Sequence, residues 1–309
     1  MNMRTKHGAP EVVGTGFTVL DRIYADGGFS AEALGGSCGN VLVSLAMLDR
    51  AVAPVLVLGC DDVGRKLVDE FQSAGADVSF ISLHADLASP VLAQELDTTT
   101  GEHRFRFTCL DTDAEFPRYR SIGVDEAANA DGAIGTCAVF YSDRVSVGIV
   151  TAMESARSSG AVVYFEPSDI DDEELFERAL RAATILKYSS DRLGGDLDAR
   201  TAASGAISIV THGEAGLEMR QGTDVRWCDA IATDRVMDTC GSGDMVSVGL
   251  IDWLLSSRGT PGPEMTLGGL VRGVVAGQRL AAENCGYAGA RGLFQEKGAM
   301  HARRILSLP

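Results

Sequence analysis

The sequence lacks the features that are typical of membrane proteins, of secreted proteins and of proteins stabilised by a structural metal. No apolar run approaches the roughly 18 residues that cross a bilayer, and the first residues have no apolar core of the kind that a signal peptide needs. The seven cysteines are widely scattered and include no C-x-x-C pair, which argues against a disulfide framework and against a zinc site. We therefore predict a cytoplasmic protein without a structural metal.

Basic charge is also scarce. The chain has 27 Lys and Arg residues against 43 Asp and Glu residues, which gives a formal net charge of −16. Nucleic acids and anionic membranes are bound by spread basic charge, so this composition argues against both as partners. A nucleotide remains compatible, because a local nest of backbone N–H groups can hold phosphate inside an acidic protein.

The 309 residues, 45% of them hydrophobic, are enough for one large α/β domain or two smaller ones. Short apolar runs alternate with helical segments, and this βαβ pattern predicts a largely parallel sheet. The predicted strands are 11–16, 53–59, 137–141, 161–165, 185–188 and 206–210. The predicted helices include 41–48, 62–74, 171–182 and 264–285.

Residues 238–244 carry the motif with the clearest chemical meaning, DTCGSGD, followed by an apolar segment that predicts a helix. Backbone N–H groups from Gly241 to Asp244, together with the positive end of the helix, form a spot that attracts an anion. A carboxylate at such a spot suggests a general base beside a phosphoryl group. Asp is also a preferred N-cap residue, so the heptapeptide alone does not separate a base from a cap.

Two upstream features suggest a site for a hydroxylated ligand. Asp21 stands among apolar residues just after the first strand, where ligands of open α/β sheets collect. The residues alone nevertheless favour a surface salt bridge with Arg22 or its neighbours. Gly35 and Gly36 precede Asn40, which opens a predicted helix and can offer a donor and an acceptor to a polyol. A helix cap without function is the alternative for Asn40.

The pattern of polar and apolar residues changes after Pro90. Residues 91–96 and 103–108 flank a turn, and the second run alternates polar with aromatic side chains at period two. This pattern predicts a β-hairpin with one wet face, inserted into the α/β chain. It is either a lid or a plain edge hairpin.

Residues 211–216 form another glycine-containing turn after a predicted strand, where backbone can approach a ligand. His212 lies in this turn. None of the five histidines has metal-ligand spacing with another, so we interpret His212 as a solvated loop residue.

These signatures, in this order, resemble the ribokinase-type sugar and nucleoside kinases, the PfkB carbohydrate kinase family. Residues 238–244 match the family pattern D-T-x-G-[AS]-G-D throughout, and residues 35–36, Asn40 and 45–48 fit its looser amino-terminal motif. The resemblance runs from about residue 11 to about residue 292. It implies an α/β fold of the ribokinase-like type, a three-layer sandwich with a mostly parallel central sheet and a small β-sheet lid.

The resemblance also implies roles for the matching positions. Asp244 would take the proton from the acceptor hydroxyl, and the backbone of Gly241, Ser242 and Gly243 would form the anion hole for the transferred phosphoryl group. The implied acceptor-binding residues are Asp21, Gly36 and Asn40, and the implied nucleotide-binding residues are Thr211, Gly213, Gly216 and Asn284.

By the same resemblance, residues 1–309 form a single kinase domain, with a lid inserted at about 17–34 and 90–109 that makes a homodimer in many members. ATP and Mg²⁺ are the implied cofactors. A monovalent cation such as K⁺ is left open.

The sequence departs from the family at two places. Asp49 stands where a glycine is usual. The N-x-x-E motif, tied to magnesium and phosphate handling, is replaced by Ser189 to Arg192, with Asp191 one place early. An altered magnesium shell is one consequence, unless ATP and water hold the ion.

Three functional hypotheses follow. The first is a sugar kinase. The second is a nucleoside kinase of the same family, for which Phe17, Phe105 and Phe107 would supply apolar surface for a base. The third is a non-catalytic binding protein on the same fold, suggested by the altered segment at Ser189.

Overall fold

The computed structural model describes residues 8–97, 99, 103–193, 197–257 and 265–308. The strands are β1 (Val12–Thr15), β2 (Val19–Ala25), β3 (Gly28–Gly35), β4 (Val52–Pro54), β5 (Leu56–Gly59), β6 (Ile81–His84), β7 (Val91–Leu96), β8 (His103–Arg106), β9 (Val139–Ser142), β10 (Val162–Phe165), β11 (Ile185–Ser189), β12 (Ile207–Thr211), β13 (Gly216–Gln221) and β14 (Asp224–Asp229). The helices are α1 (Ser37–Met47), α2 (Asp62–Ala74), α3 (Val124–Asn129), α4 (Asp131–Ile134), α5 (Val147–Ser158), α6 (Glu173–Ala182), α7 (Leu197–Ser204), α8 (Ser242–Ser256), α9 (Leu267–Asn284), α10 (Gly292–Lys297) and α11 (Ala299–Leu306).

Eight strands form the central sheet, in the order β14-β13-β12-β11-β10-β9-β1-β4. The six strands β4, β1, β9, β10, β11 and β12 run parallel. Strands β13 and β14 are added antiparallel at one edge. Strands of a parallel sheet are covered on both faces, which explains why the apolar runs in the sequence are nearly continuous. The predicted mostly parallel α/β sheet is confirmed.

The sheet separates two hydrophobic cores. In β1, Val12 belongs to one core and Val13 to the other, because successive side chains of a strand point to opposite faces. Helices α1, α2 and α8 to α11 contribute to the first core, and α3 to α7 contribute to the second. Helix, sheet and helix therefore form the three predicted layers.

The segment 53–59, predicted as one strand, is two strands. Residues up to Pro54 pair with β1 in the central sheet, whereas β5 pairs in parallel with β6 in a separate two-stranded sheet. Pro54 has no N–H to offer the sheet, and Val55 donates its N–H to the Gly14 carbonyl. The apolar run did not reveal the division, because both strands are buried.

A smaller sheet lies beside the central one, in the order β3-β2-β7-β8. It is built from two distant parts of the chain, since β2 pairs antiparallel with β3 and parallel with β7, which in turn pairs antiparallel with β8. The predicted hairpin of 91–96 with 103–108 is thus one half of a four-stranded sheet. Its predicted turn lies partly outside the described residues.

Helix α1 ends at Met47 with Leu48 as its C-cap, and Asp49 follows with a φ of 57°. This left-handed conformation is the one that a glycine adopts without strain and that Asp tolerates. Asp49 also pairs with Arg303 of α11. The departure from the family glycine therefore keeps the same turn. Across the described residues, no helix is both long and apolar enough to cross a membrane.

Candidate active site

The loop before α8 is held in one shape by a buried carboxylate and a glycine. Asp238 accepts hydrogen bonds from the N–H groups of Cys240 and Gly289, and the donor–acceptor distance is 2.8 Å in each. Gly241 has a φ of 71°, and a Cβ there would lie 2.5 Å from the Cβ of Ala290. Only glycine fits this position without displacing the neighbouring loop.

Helix α8 begins at Ser242 with Gly241 as its N-cap, and among the described residues no side chain caps it. The first backbone N–H groups of a helix have no intrahelical partner, and the helix dipole adds positive potential at the same end. The Ser242 N–H donates to the Thr239 carbonyl at 3.2 Å, so within the described residues the donors of the kind that bind phosphate are the N–H groups of Gly243 and Asp244.

Asp244 lies in the first turn of α8 and is only 8% exposed. Its carboxylate accepts a hydrogen bond from the Asn40 side-chain amide, with Nδ2 and Oδ2 2.8 Å apart. The pKa of Asp244 is raised to about 7, mainly by burial and next by the charge of Glu166, while the Asn40 hydrogen bond and Lys187 oppose the rise. The interpretation of this residue as a simple helix cap is wrong, because Gly241 occupies the cap position.

Asp21 lies in β2 of the smaller sheet and is buried against β3. A Cβ at Gly35 would be 1.8 Å from Asp21 Oδ2, so the glycine leaves the space that the carboxylate occupies. Burial raises the pKa of Asp21 to about 7, with Arg291 opposing and Asp244 adding to the rise. Among the described residues Arg22 pairs with Glu32 and not with Asp21, so the predicted surface salt bridge between Asp21 and Arg22 is not observed.

Gly36 and Asn40 lie at the start of α1, and Asn40 contacts Asp244. Gly36 has a φ of 80°, and a Cβ there would lie 2.3 Å from the Phe17 carbonyl oxygen. Asn40 is buried in the first turn of α1, where its Nδ2 contacts Asp244. The side-chain atoms Asp21 Oδ1 and Asn40 Oδ1 are buried and have no hydrogen-bond partner in the described part of the chain. The two atoms are therefore acceptors available to a ligand.

A buried ion pair lies beneath the start of α8. Lys187 of β11 contacts Glu166, which follows β10, and Glu166 also accepts hydrogen bonds from Tyr141 and Ser247. A Cβ at Gly243 would be 3.6 Å from Lys187 Nζ. The pair therefore adds charges of both signs next to Asp244.

The smaller sheet reaches the motif loop through two side chains. Cys240 Sγ lies 3.8 Å from Gln94 Oε1 of β7, and His103 Nδ1 of β8 lies 3.7 Å from Asp238 Oδ1. These contacts bring the smaller sheet against the loop that precedes α8. The acceptor residues and the start of α8 therefore face one another.

The predicted nucleotide turn lies at the end of β12. Thr211 ends the strand, and Gly216 has a φ of 124°, where a Cβ would be 2.4 Å from the Cys228 carbonyl oxygen. A Cβ added at Gly213 would meet no atom of the described residues within 4 Å, so a ligand can approach the backbone there. The turn suits a nucleotide that lies against peptide groups.

Asn284 ends α9 and is fully buried. Its Nδ2 donates a hydrogen bond to the Ala290 carbonyl at 3.2 Å, and its Oδ1 accepts one from the Leu293 N–H at 3.1 Å. The side chain therefore fixes the loop that packs on Gly241. A role for this region beside the adenine stays a prediction.

The altered segment after β11 has no acid in the family position. The Ser189 hydroxyl accepts a hydrogen bond from the Asp191 N–H at 3.3 Å, and Arg192 is exposed. Within the ranges that the structure describes, no cluster of three His, Cys, Asp or Glu side chains is able to hold a metal ion. A Mg²⁺ ion held mainly by ATP and water stays a prediction.

Residues 30–296 match the profile of the pfkB family carbohydrate kinases, which is most of the chain. The chain belongs to this family. The resemblance inferred from residues 35–40 and 238–244 is thereby confirmed. PfkB kinases are phosphotransferases that act on sugars or nucleosides and in general use ATP and Mg²⁺.

Individual relatives point to more than one substrate. An ATP-dependent ribose-1-phosphate kinase from Halopiger xanaduensis is 26% identical over 239 residues, which are 71% of this chain and 73% of that protein. An aminoimidazole riboside kinase from Salmonella typhimurium is 44% identical over 73 residues, 24% of this chain and 23% of that protein. The ribokinase structure from Giardia lamblia superposes with a TM-score of 0.77 at 13% identity, covering 97% of this chain and 100% of that one.

For this pfkB kinase, sequence reasoning missed the buried polar groups contributed by the interior of strands. Lys187 interrupts the apolar strand Ile185–Ser189, and Gln94 interrupts Val91–Leu96. The available signals were the charge of Lys187 inside the strand predicted at 185–188 and the amide of Gln94 inside the apolar part of the predicted hairpin. Glu166, one residue after β10, carried the weaker signal of its place at a strand end.

Proposed function

We propose that the protein is an ATP-dependent kinase that transfers the γ-phosphoryl group to a hydroxyl of a small sugar. Asp244 is the general base, and the backbone of residues 241–244 is the anion hole. The observation that carries this proposal is the 2.8 Å hydrogen bond from Asn40 to Asp244. It orients a buried carboxylate beside a helix start that the carboxylate does not cap.

The proposed chemistry balances as a single displacement. The oxygen of the acceptor hydroxyl forms a bond to the γ-phosphorus, the bond from that phosphorus to the β-phosphate oxygen breaks, and ADP leaves. The hydroxyl proton passes to Asp244. A pKa of about 7 suits this task, because a base is most effective when its pKa lies near the working pH.

The N–H groups at the start of α8 stabilise the charge on the transferred phosphoryl group. The turn formed by Thr211, Gly213 and Gly216 holds the nucleotide phosphates and ribose, and the region of Asn284 borders the adenine. Bound Mg²⁺ neutralises phosphate charge. Transfer then depends mainly on positioning and electrostatics, which are the two contributions that this arrangement supports.

Asp21, Gly36 and Asn40 orient the acceptor from the other side. In the proposal, residues 1–309 are one kinase domain and the smaller sheet is its lid, at about 17–34 and 90–109. Closure of the lid excludes water, which otherwise competes with the sugar for the phosphoryl group. Gln94 and His103 support this role, because both contact the loop that precedes α8.

A nucleoside acceptor is the second candidate, and one side chain favours it. Phe105 of β8 is 42% exposed and pairs with Gln94 across the smaller sheet, so the two side chains lie on the same face. An exposed aromatic ring beside the acceptor residues offers a surface for a base. The 44% local identity to an aminoimidazole riboside kinase agrees with this alternative.

We also propose a homodimer through the smaller sheet. Phe29 of β3 is 59% exposed and lies on the face of the smaller sheet opposite to that of Gln94 and Phe105. Apolar exposure of this kind is typical of association surfaces. Light scattering of the wild type and of Phe29→Ser tests the idea: a wild-type monomer contradicts it, and a dimer that Phe29→Ser weakens supports it.

The function is tested by ADP release with Mg-ATP over a panel of D-ribose, ribose 1-phosphate, D-fructose, adenosine and aminoimidazole riboside. We expect turnover with a sugar in the wild type and its loss in Asp244→Asn. Turnover restricted to the ribosides selects the second candidate. ATP binding without turnover across the panel contradicts both and favours the non-catalytic binding protein.

A further inference from the structure

Gln94 is an amide in the middle of a buried strand. It is 1% exposed, and its neighbours in β7 are apolar except for Glu95 on the opposite face. A buried amide is unfavourable unless both of its ends are hydrogen-bonded. Its Nε2 has no hydrogen-bond partner among the residues that the structure describes.

The other end of the amide is engaged. Cys240 Sγ donates to Gln94 Oε1 across 3.8 Å, from within the loop that precedes α8. A thiol acts here as the donor and the carbonyl oxygen as the acceptor, so this contact orients the amide with Nε2 directed away from Cys240. The free donor of Gln94 is thus a consequence of how the loop holds its carbonyl.

The strand register brings Gln94 next to the acceptor residues. In the parallel pair of β2 with β7, Asp21 lies opposite Leu92 and Ile23 opposite Gln94. Side chains at alternate positions share a face, so Asp21 and Gln94 lie on the same face of the smaller sheet. Cys240, which contacts Gln94, lies in the loop that leads into the first turn of α8, where Asp244 stands. Burial raises the pKa of the Cys240 thiol, and the charges of Asp238, Asp21 and Asp244 raise it further.

Three buried atoms of this cluster lack partners among the described residues and differ in polarity. Asp21 Oδ1 and Asn40 Oδ1 accept hydrogen bonds, whereas Gln94 Nε2 donates one. Two acceptors and one donor complement a ring that carries at least two hydroxyl groups and presents the lone pair of one of its oxygens to Gln94. Hydroxyl protons alone do not satisfy Gln94.

We infer that Gln94 is a specificity-determining residue of the acceptor site, and that its Nε2 donates a hydrogen bond to an oxygen of the molecule that is phosphorylated. This inference deepens the proposed kinase function and rests on it. The acceptor class is a polyhydroxylated ring whose oxygen faces β7. An analogue that lacks this oxygen leaves the buried donor unpaired, and sites of this type reject such analogues strongly.

The experiment compares Gln94→Met with Glu95→Met. Met has nearly the length of Gln but lacks the donor, and Glu95 is on the opposite face of the same strand, where it pairs with Arg106. We expect Gln94→Met to raise the KM for the best acceptor of the panel, with D-ribose and adenosine tested first, by about 10-fold or more. The KM for ATP changes by less than about twofold, and Glu95→Met keeps the wild-type acceptor KM.

A purely structural role of Gln94 predicts a different pattern. In that case Gln94→Met lowers the melting temperature and weakens ATP and acceptor to the same extent, which overturns the inference. An acceptor KM that is unchanged in Gln94→Met overturns it as well.

A measurement without turnover separates this inference from the kinase proposal. The rise in melting temperature caused by D-ribose or adenosine alone is recorded for the wild type and for both Met variants. A smaller rise in Gln94→Met only supports the inference. A wild type that turns over the acceptor, with equal rises in all three proteins, overturns the Gln94 assignment and leaves the kinase function intact. A wild type that neither binds nor phosphorylates any panel member overturns both.

Discussion

The two ends of the proposed site are built from different materials. The phosphate end, residues 238–244, uses backbone N–H groups whose positions are fixed by Gly241 and by the carboxylate of Asp238. The acceptor end uses side chains from three elements, Asp21, Asn40 and Gln94, each of which keeps an unpartnered polar atom among the described residues. A backbone site binds any phosphate, whereas a side-chain site selects one molecule. The contrast suggests that the choice of substrate depends on the proposed acceptor end and not on the phosphate end.

The sharpest way to break the comparison is to remove the base that lies between the two ends. We expect Asp244→Asn to lower kcat by roughly 10²-fold or more, the usual effect of losing a general base, with both substrates still bound. Steady-state kinetics and ATP titration by calorimetry measure the two effects. Asp252→Asn, on the same helix and paired with Arg50, is the control and should keep its kcat. Near-normal turnover by Asp244→Asn would remove Asp244 from the mechanism.

The phosphate end should fail as a backbone unit. Gly241→Ala forces a left-handed residue and a contact of 2.5 Å with Ala290, so we expect a loss of more than about 2 kcal/mol in unfolding free energy, together with a higher KM for ATP. Denaturant unfolding and ATP kinetics give both values. Gly75→Ala is the matched control, because Gly75 is also left-handed, with a φ of 96° and a ψ of 11°, but a Cβ there would meet no described atom within 4 Å, and it should cost only about 1 kcal/mol. Equal losses in the two variants would contradict the close packing as the cause.

The acceptor end should fail one side chain at a time. Asn40→Ala is expected to raise the acceptor KM, with about 1–3 kcal/mol lost in kcat/KM, because ligand hydroxyls and Asp244 lose a partner. Asn129→Ala on the exposed end of α3 controls for the loss of an amide. If the KM for ATP rose instead and the acceptor KM did not move, Asn40 would belong to the phosphate end.

The smallest expected effect is a shift of the pH profile. Asp244 must be ionised to act as a base and its pKa is raised to about 7, so kcat/KM should rise with pH and level off above about 7. Glu166 raises this pKa by repulsion, and Glu166→Gln should therefore move the rise to lower pH. Glu154→Gln, at an exposed pair with Arg178, should leave the profile unchanged. If the pH profile of Glu166→Gln were not shifted, the rise of kcat/KM with pH would reflect the ionisation of a group other than Asp244.

The sequence predicted the parts of this molecule that local chemistry determines. The alternation of apolar runs and helices predicted the parallel sheet, and the glycines of 238–244 predicted a helix start with free N–H groups. The break between β4 and β5 was missed, because a buried run looks the same whether it crosses one sheet or two. Pro54 was the only local sign of it.

The acceptor end was predictable only in part. Asp21 and Asn40 were identified from their places after a strand and before a helix, but nothing local links either of them to β7. Gln94 joins the site through strand pairing, which brings residue 94 beside residue 23, and through a loop that begins at residue 238. Contacts of this range follow from topology, so a single sequence without the fold does not reveal them.

The hydrogen bond between Asn40 and Asp244 joins residues 204 positions apart. A chain leaves the ribosome amino terminus first, so β2, α1 and β7 emerge long before α8 is translated. Until then Asn40 has no carboxylate to hold, and the loop of Cys240 that orients Gln94 does not exist. Translation that stops before residue 244 therefore yields a chain with acceptor side chains but no phosphate end. The protein becomes a complete catalyst only in the last part of its synthesis.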